Sequence, residues 1–462
     1  MSTKKFNATL TPKSKIISDM LAFAYGDITN PKNWPSGSID TIVNTANPTL
    51  MGSRQGVDGA LHKAIDQSLG QKNGFNNLIC KELKTKSRNN IIRCKRGHAV
   101  TTSGGKFCKK IIHVVGSKYD GTEKKKNICS SSCLHTLESC YYSIIEEIKK
   151  NPDIEEVGIP IIGAGLYNFP FDLAINVAIA SIGNALIDWR IKDEEDFEMV
   201  GLKKIYLFIF DDNEETMKTN QQIAKDTMDN YKKYFANNRR VVFQTSFEAH
   251  RRYIKELRDY DSQRGYFTIV RKLRLGLLYV RFFFLLSMSL KDLFAKKDWA
   301  KRRQVVETCV FFKAALPILL WLILQWEPFL NLPSIAPISI YFEVVFSVII
   351  ILCLADTITY LLVLIILADV QRPSANIIRS LIMLFVNYFE LSGDLAFLYY
   401  IYYDVRFREA LAFGFLGLDA IDPLQTLIDY LFVASNTGLK FFLVTLVFGY
   451  FFNHMHQRKF RS

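Results

Sequence analysis

Thr41-Ile42-Val43-Asn44-Thr45-Ala46-Asn47 leads through a glycine-bearing segment, Gly52-Ser53-Arg54-Gln55-Gly56, into Val57-Asp58-Gly59-Ala60-Leu61-His62. The order is an apolar strand, a glycine turn, and a helix expected to start at Ala60. A second unit of the same kind follows. Val157-Gly158-Ile159-Pro160-Ile161-Ile162 is an apolar run that ends in Gly163-Ala164-Gly165-Leu166-Tyr167. Glycine turns and helix N-termini present backbone N–H groups at short range, which is what a phosphate group needs. Two such turns, each directly after an apolar strand, point to a site for a diphosphate at one edge of a sheet.

Working outward, residues 15–235 alternate short apolar runs with amphipathic stretches, the pattern of an α/β domain. Further strands are expected at Thr41-Ile42-Val43, Ile111–Val115 and Ile205–Phe210, with helices over Leu134–Lys150, Leu173–Trp189 and Glu214–Phe235. Continuously apolar strands imply a sheet covered by helices on both faces. Gly26-Asp27-Ile28-Thr29 is a further turn near the start of this region.

These four segments, at these intervals, resemble the macrodomain family over residues 15–235. The resemblance implies a three-layer sandwich, a mixed sheet with helices on both faces, that binds ADP-ribose or a related nucleotide and needs no cofactor. It implies that Asp27 accepts from the adenine amino group beside the Ile28 backbone, and that Asn47 holds the distal ribose. Gly56 and Val57 would form one phosphate clamp. Gly163, Ala164, Gly165, Leu166 and Tyr167 would form the other, with Tyr167 against the distal ribose and Phe210 stacked on adenine. Gly97-His98-Ala99-Val100 and Ile111–Gly116 match as scaffold, with His98 and His113 structural. Members that remove ADP-ribose from proteins carry an Asp and a His that Asp58 and His62 match, so Asn47, Asp58 and His62 are the catalytic set if the chain is a hydrolase. The alternative for Asp58 and His62 is a helix-capping Asp and a surface His. The chain departs from the family pattern in a first loop one residue longer, in Asn168 where glycine is usual, and in Gly163-Ala164 where a hydroxyl residue is common. Arg54 and Gln55, in the longer loop, are expected at the distal end of the ligand, where they would select a decorated ADP-ribose.

Beyond residue 235 the composition changes. Residues 236–303 form a basic linker or stalk, and Arg271–Arg303 contains ten Lys or Arg against Asp292 and Asp298. The chain carries a net charge of +13. Because the cluster abuts apolar segments, its expected partner is an anionic lipid surface and not nucleic acid. Residues 275–290 are apolar but short and include Arg281, which suits an interfacial helix. Four spans are expected at 306–325, 340–367, 377–403 and 437–453, within a transmembrane bundle over 304–455. The stretch around Glu327–Ile338 lacks Lys and Arg, whereas Arg372, Arg379, Arg458, Lys459 and Arg461 lie at the opposite ends. The positive-inside rule then puts both the N-terminal domain and the C-terminus in the cytoplasm of a multi-pass protein of the cell membrane, with Arg406 and Arg408 as exceptions. Met1–Lys15 has no apolar signal core.

Charged residues inside spans are costly and are therefore functional candidates. Lys313, Asp356 and Asp394 lead the set, with Glu343 and Glu390. A short helix over Asp422–Phe432, a small-residue turn at Ser435–Gly438 and an apolar run resemble a channel pore region without a potassium filter's Gly-Tyr-Gly, the alternative being an ordinary loop helix. Eight cysteines, among them Cys129, Cys133 and Cys140 near His135, match no zinc spacing, so neither a metal site nor a disulfide framework is expected. The expectation is a membrane effector: a macrodomain that senses ADP-ribose or a derivative and controls a bundle, acting as a homo-oligomer. Macrodomains joined to membrane helices occur in bacterial antiphage systems where a TIR-type enzyme makes the signal. Those proteins place the helices first, the reverse of the order here. The competing readings are a membrane-tethered ADP-ribosyl hydrolase and a passive reader of ADP-ribosylated proteins.

Overall fold

The computed structural model describes residues 15–35, 37, 39–86, 91–119, 131–246, 250, 254, 257–258, 261, 267–283, 290–326, 336–366, 377–418 and 426–443. The chain divides into two compact units. The first runs to Gln244 and takes in Lys297–Ala300; the second comprises Thr245–Lys296 and the chain from Lys301 onward.

The first unit is built on a six-stranded sheet. Its strands are β1 (Leu21–Tyr25), β2 (Thr41–Thr45), β3 (Ala99–Ser103), β4 (Lys110–Val114), β5 (Glu156–Pro160) and β6 (Lys204–Ile209). The order across the sheet is β1-β6-β5-β2-β4-β3. All neighbours are parallel except the β3–β4 pair. Helices α1 (Ile17–Met20), α2 (Gly56–Leu69), α3 (Gly74–Glu82), α4 (Ser131–Lys150), α5 (Phe171–Lys192), α6 (Glu194–Met199) and α7 (Glu214–Phe235) accompany it. One apolar layer gathers α4, α5 and α7 residues such as Ile144, Ile179 and Phe235. The other gathers Leu61, Ile65, Phe75 and Ile79 of α2 and α3. Both faces of the sheet are thus covered, which accounts for strands such as β6 that are buried almost throughout.

Local chemistry sets the helix ends. Asn213 caps α7 through Oδ1, which accepts from the N–H groups of Glu215 and Thr216. Glu214 and Glu215 open that helix and Lys232 and Lys233 close it, in the sense that complements its dipole. Gly70 ends α2 with φ of +66°. Helix α2 begins at Gly56, one turn earlier than expected from the sequence, so Asp58 lies in its first turn. Two strands escape the apolar-run reading. β1 contains two alanines and β3 reads Ala-Val-Thr-Thr-Ser, a half-exposed antiparallel edge without a continuous apolar run.

Four helices among the described residues are long and apolar enough to cross a membrane. One of them is α5, with 67% of its apolar window buried inside the protein. It packs against α4 and α7 and is a core helix of the α/β unit. The other three belong to the helical region: α9 (Trp299–Leu324), α10 (Ala336–Ile366) and α11 (Ile377–Tyr403). They match the first three expected spans. The fourth, 437–453, falls outside the described residues beyond 443, as do Arg372, Arg458, Lys459 and Arg461.

In the second unit α8 (Thr268–Phe283) precedes α9, with Phe267, Ile269 and Leu273 exposed. Leu316 and Leu320 of α9, Phe346 and Ile350 of α10 and Phe397 of α11 form one apolar cluster. Pro317 interrupts the α9 hydrogen-bond ladder, and its ring meets Gly393 of α11, where an added Cβ would lie 3.4 Å from Pro317 Cγ. A short helix, α12 (Phe407–Leu411), runs into a wide turn, Ala412–Leu416. Helix α13 (Leu427–Phe441) then continues straight through Ser435-Asn436-Thr437-Gly438. The turn expected there from small residues is absent. Asn436 Nδ2 donates to Phe413 O at 2.7 Å, so this polar side chain is occupied outside its own helix and does not compete for its backbone.

Gly183 of α5 faces the buried ring of Phe235, and a Cβ at 183 would fall 2.2 Å from Phe235 Cζ. Alanine gains about 1 kcal/mol in helix propensity, but forcing a methyl into this core costs about 1–3 kcal/mol. Gly183→Ala should therefore lower the thermal stability of the full chain, and Gly183→Ala with Phe235→Leu should recover part of the loss.

Candidate functional site

The parallel register brings the carboxyl ends of five strands to one edge. Tyr25 pairs with Ile209, Pro160 with Phe208, and Thr45 with Val114. The loops that leave this edge carry the segments picked out from the sequence. Gly26–Thr29 follows β1, Phe210 follows β6, Ile161–Tyr167 follows β5, and Ala46–Val57 follows β2. The carboxyl edge of a parallel sheet is where open α/β folds bind ligands.

At the β1 loop, Asp27 Oδ1 accepts from Thr29 N at 2.9 Å and from Thr29 Oγ1 at 2.8 Å. Asp27 is half-buried, and its Oδ2 makes no hydrogen bond within the described residues. Ile28 is buried, and its carbonyl accepts from Trp34 Nε1 at 2.9 Å. The turn is rigid for a further reason. Gly26 has φ of +106°, and a Cβ there would strike Asn33, whose Nδ2 donates to Asp27 O at 3.0 Å. Asn33 and Trp34 carry no motif and were not selected from the sequence. On the neighbouring strand, Phe210 lies one residue beyond β6 and is 57% exposed. The parallel β1–β6 register, Tyr25 opposite Ile209, thus brings the exposed Phe210 ring to the same edge as the Asp27 turn.

The β5 loop is held by its own backbone. Phe169 N donates to Gly163 O at 3.0 Å and Asn168 N to Gly165 O at 2.8 Å. Gly163 has φ of +88°, and a Cβ there would sit 2.6 Å from the Phe169 ring. Asn168, where glycine is usual, has φ of +56°. Asparagine is among the few residues that tolerate this left-handed conformation, so the departure preserves the turn. Leu166 is exposed and Tyr167 half-buried, with Tyr167 O accepting from Tyr119 N at 2.8 Å. Nothing lies within 4 Å of a Cβ built on Gly165.

The β2 loop comes up to the β5 loop. A Cβ on Gly56 would lie 2.9 Å from Leu166 Cδ1. Asn47 shapes this loop: its Nδ2 donates to Gly52 O at 2.7 Å, and its Oδ1 accepts from Thr49 N at 3.0 Å and Thr49 Oγ1 at 2.6 Å. Turn chemistry thus occupies the acceptor, and one N–H of Nδ2 remains for a ligand. Ser53, Arg54, Gln55 and Gly56 are exposed, and Val57 is half-buried.

Asp58 and His62 take a different place. Asp58 is 3% and His62 9% exposed. Asn44 Nδ2 donates to Asp58 Oδ1 at 2.8 Å and lies 3.3 Å from His113 Nδ1, while His113 Nε2 is 2.9 Å from Thr102 Oγ1. His62 Nε2 stands 3.4 Å from Asp58 Oδ1 and makes no hydrogen bond. Phe75 lies between the two imidazoles, with ring centroids 4.7 Å from His62 and 5.6 Å from His113. Asp58 is not the helix cap, which is Gln55, and His62 is not a surface residue. Asn44, the first residue of the Asn-x-x-Asn segment, ties them to the sheet. A Cβ on Gly52 would lie 3.1 Å from the His62 ring, so the loop closes over the imidazole only with glycine. No group of three metal-ligating side chains forms among the described residues.

Burial pushes the His113 imidazole down from 6.5 to about 3, with His62 beside it adding to the effect and Asp58 opposing it. The folded ring stays neutral while the unfolded one protonates near 6.5. Its contribution to stability is therefore complete above pH 6.5 and is lost as the pH falls toward 3, at up to about 1.4 kcal/mol per pH unit. Amide-exchange protection of β4 should fall across this window in the full chain, with a shallower slope in His113→Gln.

A macro domain model matches residues 43–178. A macro domain-containing protein of Listeria monocytogenes is 32% identical over 195 residues, covering 42% of this chain and 90% of that protein. A Salmonella gallinarum protein named O-acetyl-ADP-ribose deacetylase is 30% identical over 182 residues, covering 39% of this chain and 87% of its own length. The solved Oceanobacillus iheyensis macrodomain with ADP aligns at 26% identity and a TM-score of 0.33, covering 47% of this chain and 95% of that one. The Listeria relative is matched over nearly its whole length and aligns to less than half of this chain, and on that likeness the chain belongs to the macro domain family.

Proposed function

We propose that the α/β unit binds ADP-ribose or a derivative along the carboxyl edge of its sheet, and that occupancy controls a membrane-embedded helical unit. One observation carries the first half. The strand order β1-β6-β5-β2 lines up Asp27 and Phe210, then the Gly163–Tyr167 loop, then Asn47 with Gly56 and Val57 along one edge. This supports a ligand with adenine at Asp27 and Phe210, diphosphate between the Gly163–Tyr167 loop and Gly56–Val57, and distal ribose at Asn47 and Tyr167. The name of the Salmonella relative, O-acetyl-ADP-ribose deacetylase, supports the same ligand class. Arg54 and Gln55, exposed in the lengthened loop, would read the group at the distal end.

The second half rests on α9, α10 and α11, which are long and apolar enough to span a bilayer, and on the charged cluster they bury. An anchor needs one span and no buried charge. In this reading the α/β unit and the C-terminus lie in the cytoplasm, the exposed Arg271, Lys272, Lys296 and Lys301 face anionic lipid while Arg274 and Arg302 are taken up by Asp261 and Asp292, and several copies assemble around a conduction path. A ligand shifts such an equilibrium only by its differential affinity for the two states, so rearrangement of the bundle must also alter the nucleotide site. A TIR-type enzyme that makes ADP-ribose derivatives during phage infection would supply the signal.

The name of the Salmonella relative raises a second reading, hydrolysis of an ADP-ribose ester by Asn47, Asp58 and His62. Against it stands the placement of Asp58, buried and engaged with Asn44. Its Oδ2, which has no protein partner, is the atom that would have to hold a water.

Titration of the full chain with ADP-ribose should show Asp27→Ala weakening binding by about 10–100-fold, the size of a lost hydrogen bond to a charged group. Arg54→Ala should leave ADP-ribose binding in place and change only the preference among derivatives. Proteoliposomes holding the full chain should pass ions when ADP-ribose-type nucleotides are added, and Asp27→Ala should abolish the response. Tight binding with no flux for any derivative tested would move the weight to hydrolysis or docking.

A further inference from the structure

Three carboxyl groups and one ammonium meet between α9, α10 and α11. Lys313 Nζ lies 3.0 Å from Asp356 Oδ2, 2.6 Å from Thr357 Oγ1 and 3.1 Å from Glu390 Oε1. An ammonium has three N–H donors, and these three acceptors use them all. Thr357 Oγ1 in turn donates to Glu390 Oε1. Asp394 follows Glu390 by one helical turn and is 0% exposed, as is Glu390. Neither Oδ1 nor Oδ2 of Asp394 has a hydrogen-bond partner, and neither does Oε2 of Glu390.

The charges do not balance. Lys313 offsets one of the three carboxylates and has no donor left for the deepest of them. A bare carboxylate without a donor is costly to bury, so the site needs a further cation. A metal ion does not suit it, since no group of three metal-ligating side chains forms among the described residues and an ammonium already occupies the centre. A proton does. Glu390 and Asp394 stand four residues apart on α11, the spacing at which side chains on one helix face can meet, and a proton held between their carboxyls would give Asp394 a hydrogen bond and Glu390 Oε2 a donor.

We infer that Glu390 and Asp394 form a proton-binding pair inside the helical unit, with Lys313, Thr357 and Asp356 as its fixed partners. The proton is carried as an O–H on Asp394 donated to Glu390 Oε2. On release it passes to Glu390 and then to solvent, leaving two carboxylates beside one saturated ammonium. The network runs from Asp394, fully buried, through Glu390 and Lys313 to Asp356, whose side chain is 16% exposed at the surface of the helical unit. The other titratable groups beside the cluster are Cys353 of α10, near Asp394, and Cys309 of α9, near Lys313 and Asp356. The wide turn Ala412–Leu416, packed on Ser392 and Ala396, adds none. A proton-free pair is a repulsive defect in the seam of three helices, so proton load and helix packing are coupled. This inference rests on burial within the helical unit and holds whether or not the nucleotide reading does.

Infrared difference spectroscopy tests it on the full chain in lipid nanodiscs, with the aspartate side-chain carboxyl carbon labelled with ¹³C to separate Asp from Glu. At pH 7 the wild type should show an isotope-shifted band of a protonated aspartic acid, sensitive to D₂O, that disappears at alkaline pH. Asp394→Asn should lack that band. Glu390→Gln, which alters the acceptor and keeps Asp394, should move the band and the pH at which it vanishes. Absence of a protonated aspartate band in the wild type at pH 7 overturns the inference, whatever the variants do. So does a band that Asp394→Asn, or Glu390→Gln should the first variant not fold, leaves unchanged.

Discussion

Parallel pairing of β1, β6, β5, β2 and β4 is the constraint on which the α/β unit depends. Parallel strands need crossovers, and each crossover leaves the sheet at the same edge. The chain therefore delivers the exit loops of these five parallel strands to one line, where short loops can cooperate although up to about 180 residues of sequence separate them, as between Asp27 and Phe210. Glycines make the line usable. Gly26, Gly52, Gly56 and Gly163 all have positive φ, and each lies against a side chain that a Cβ would strike or crowd. The loops are close to one another and to the helices because those four positions have no side chain.

Beneath that edge the same segments build a polar interior. Asp58, Asn44, His113 and Thr102 form a hydrogen-bonded chain from α2 through β2 and β4 to the edge strand β3, with Phe75 packed between His113 and His62. Low dielectric makes such a chain strong when satisfied and costly when broken, and it keeps His113 neutral. The first asparagine of Asn-x-x-Asn thus serves the core and the second the loop. Asn44 lies within β2 and points into the interior, whereas Asn47 lies two residues beyond the strand and ties the loop to itself.

In the helical unit, buried charge serves a different end. Pro317 and Gly393 let α9 and α11 approach closely, and Lys313 enters from α9 to meet acids on α10 and α11. Replacing such a cluster with apolar side chains is often neutral or stabilising, so packing alone does not require it. Elsewhere the charged contacts look structural: Arg302 and Asp292 pair at 2.8 Å, and Ser246 N donates to both oxygens of Asp292 at 2.9 and 3.0 Å.

Much of this was legible before folding. Apolar runs located four of six strands, and periodicity located α4, α5 and α7, because burial on both sheet faces or on one helix stripe leaves a direct trace in composition. The glycine turns marked the loops for the same reason: positive φ selects residue type locally. What the sequence alone could not decide was anything set by neighbours distant along the chain. β1 and β3 are strands through their partners β6 and β4, not through apolar continuity. Helix α5, read from the sequence as part of the α/β domain, is as apolar as a membrane span, and it is the packing against α4 and α7 that buries it. Helix α13 passes through Ser435–Gly438 unbroken because Asn436 finds a carbonyl on another element. Asp58 and His62 look catalytic or superficial in one dimension, whereas the fold encloses both. Lys313 meets Asp356, Thr357 and Glu390 across 43 to 77 positions, and no pattern along the chain records which acid that leaves without a donor. Composition and local conformation are properties of a residue and its neighbours in sequence; burial and pairing belong to neighbours in space, and only packing supplies those.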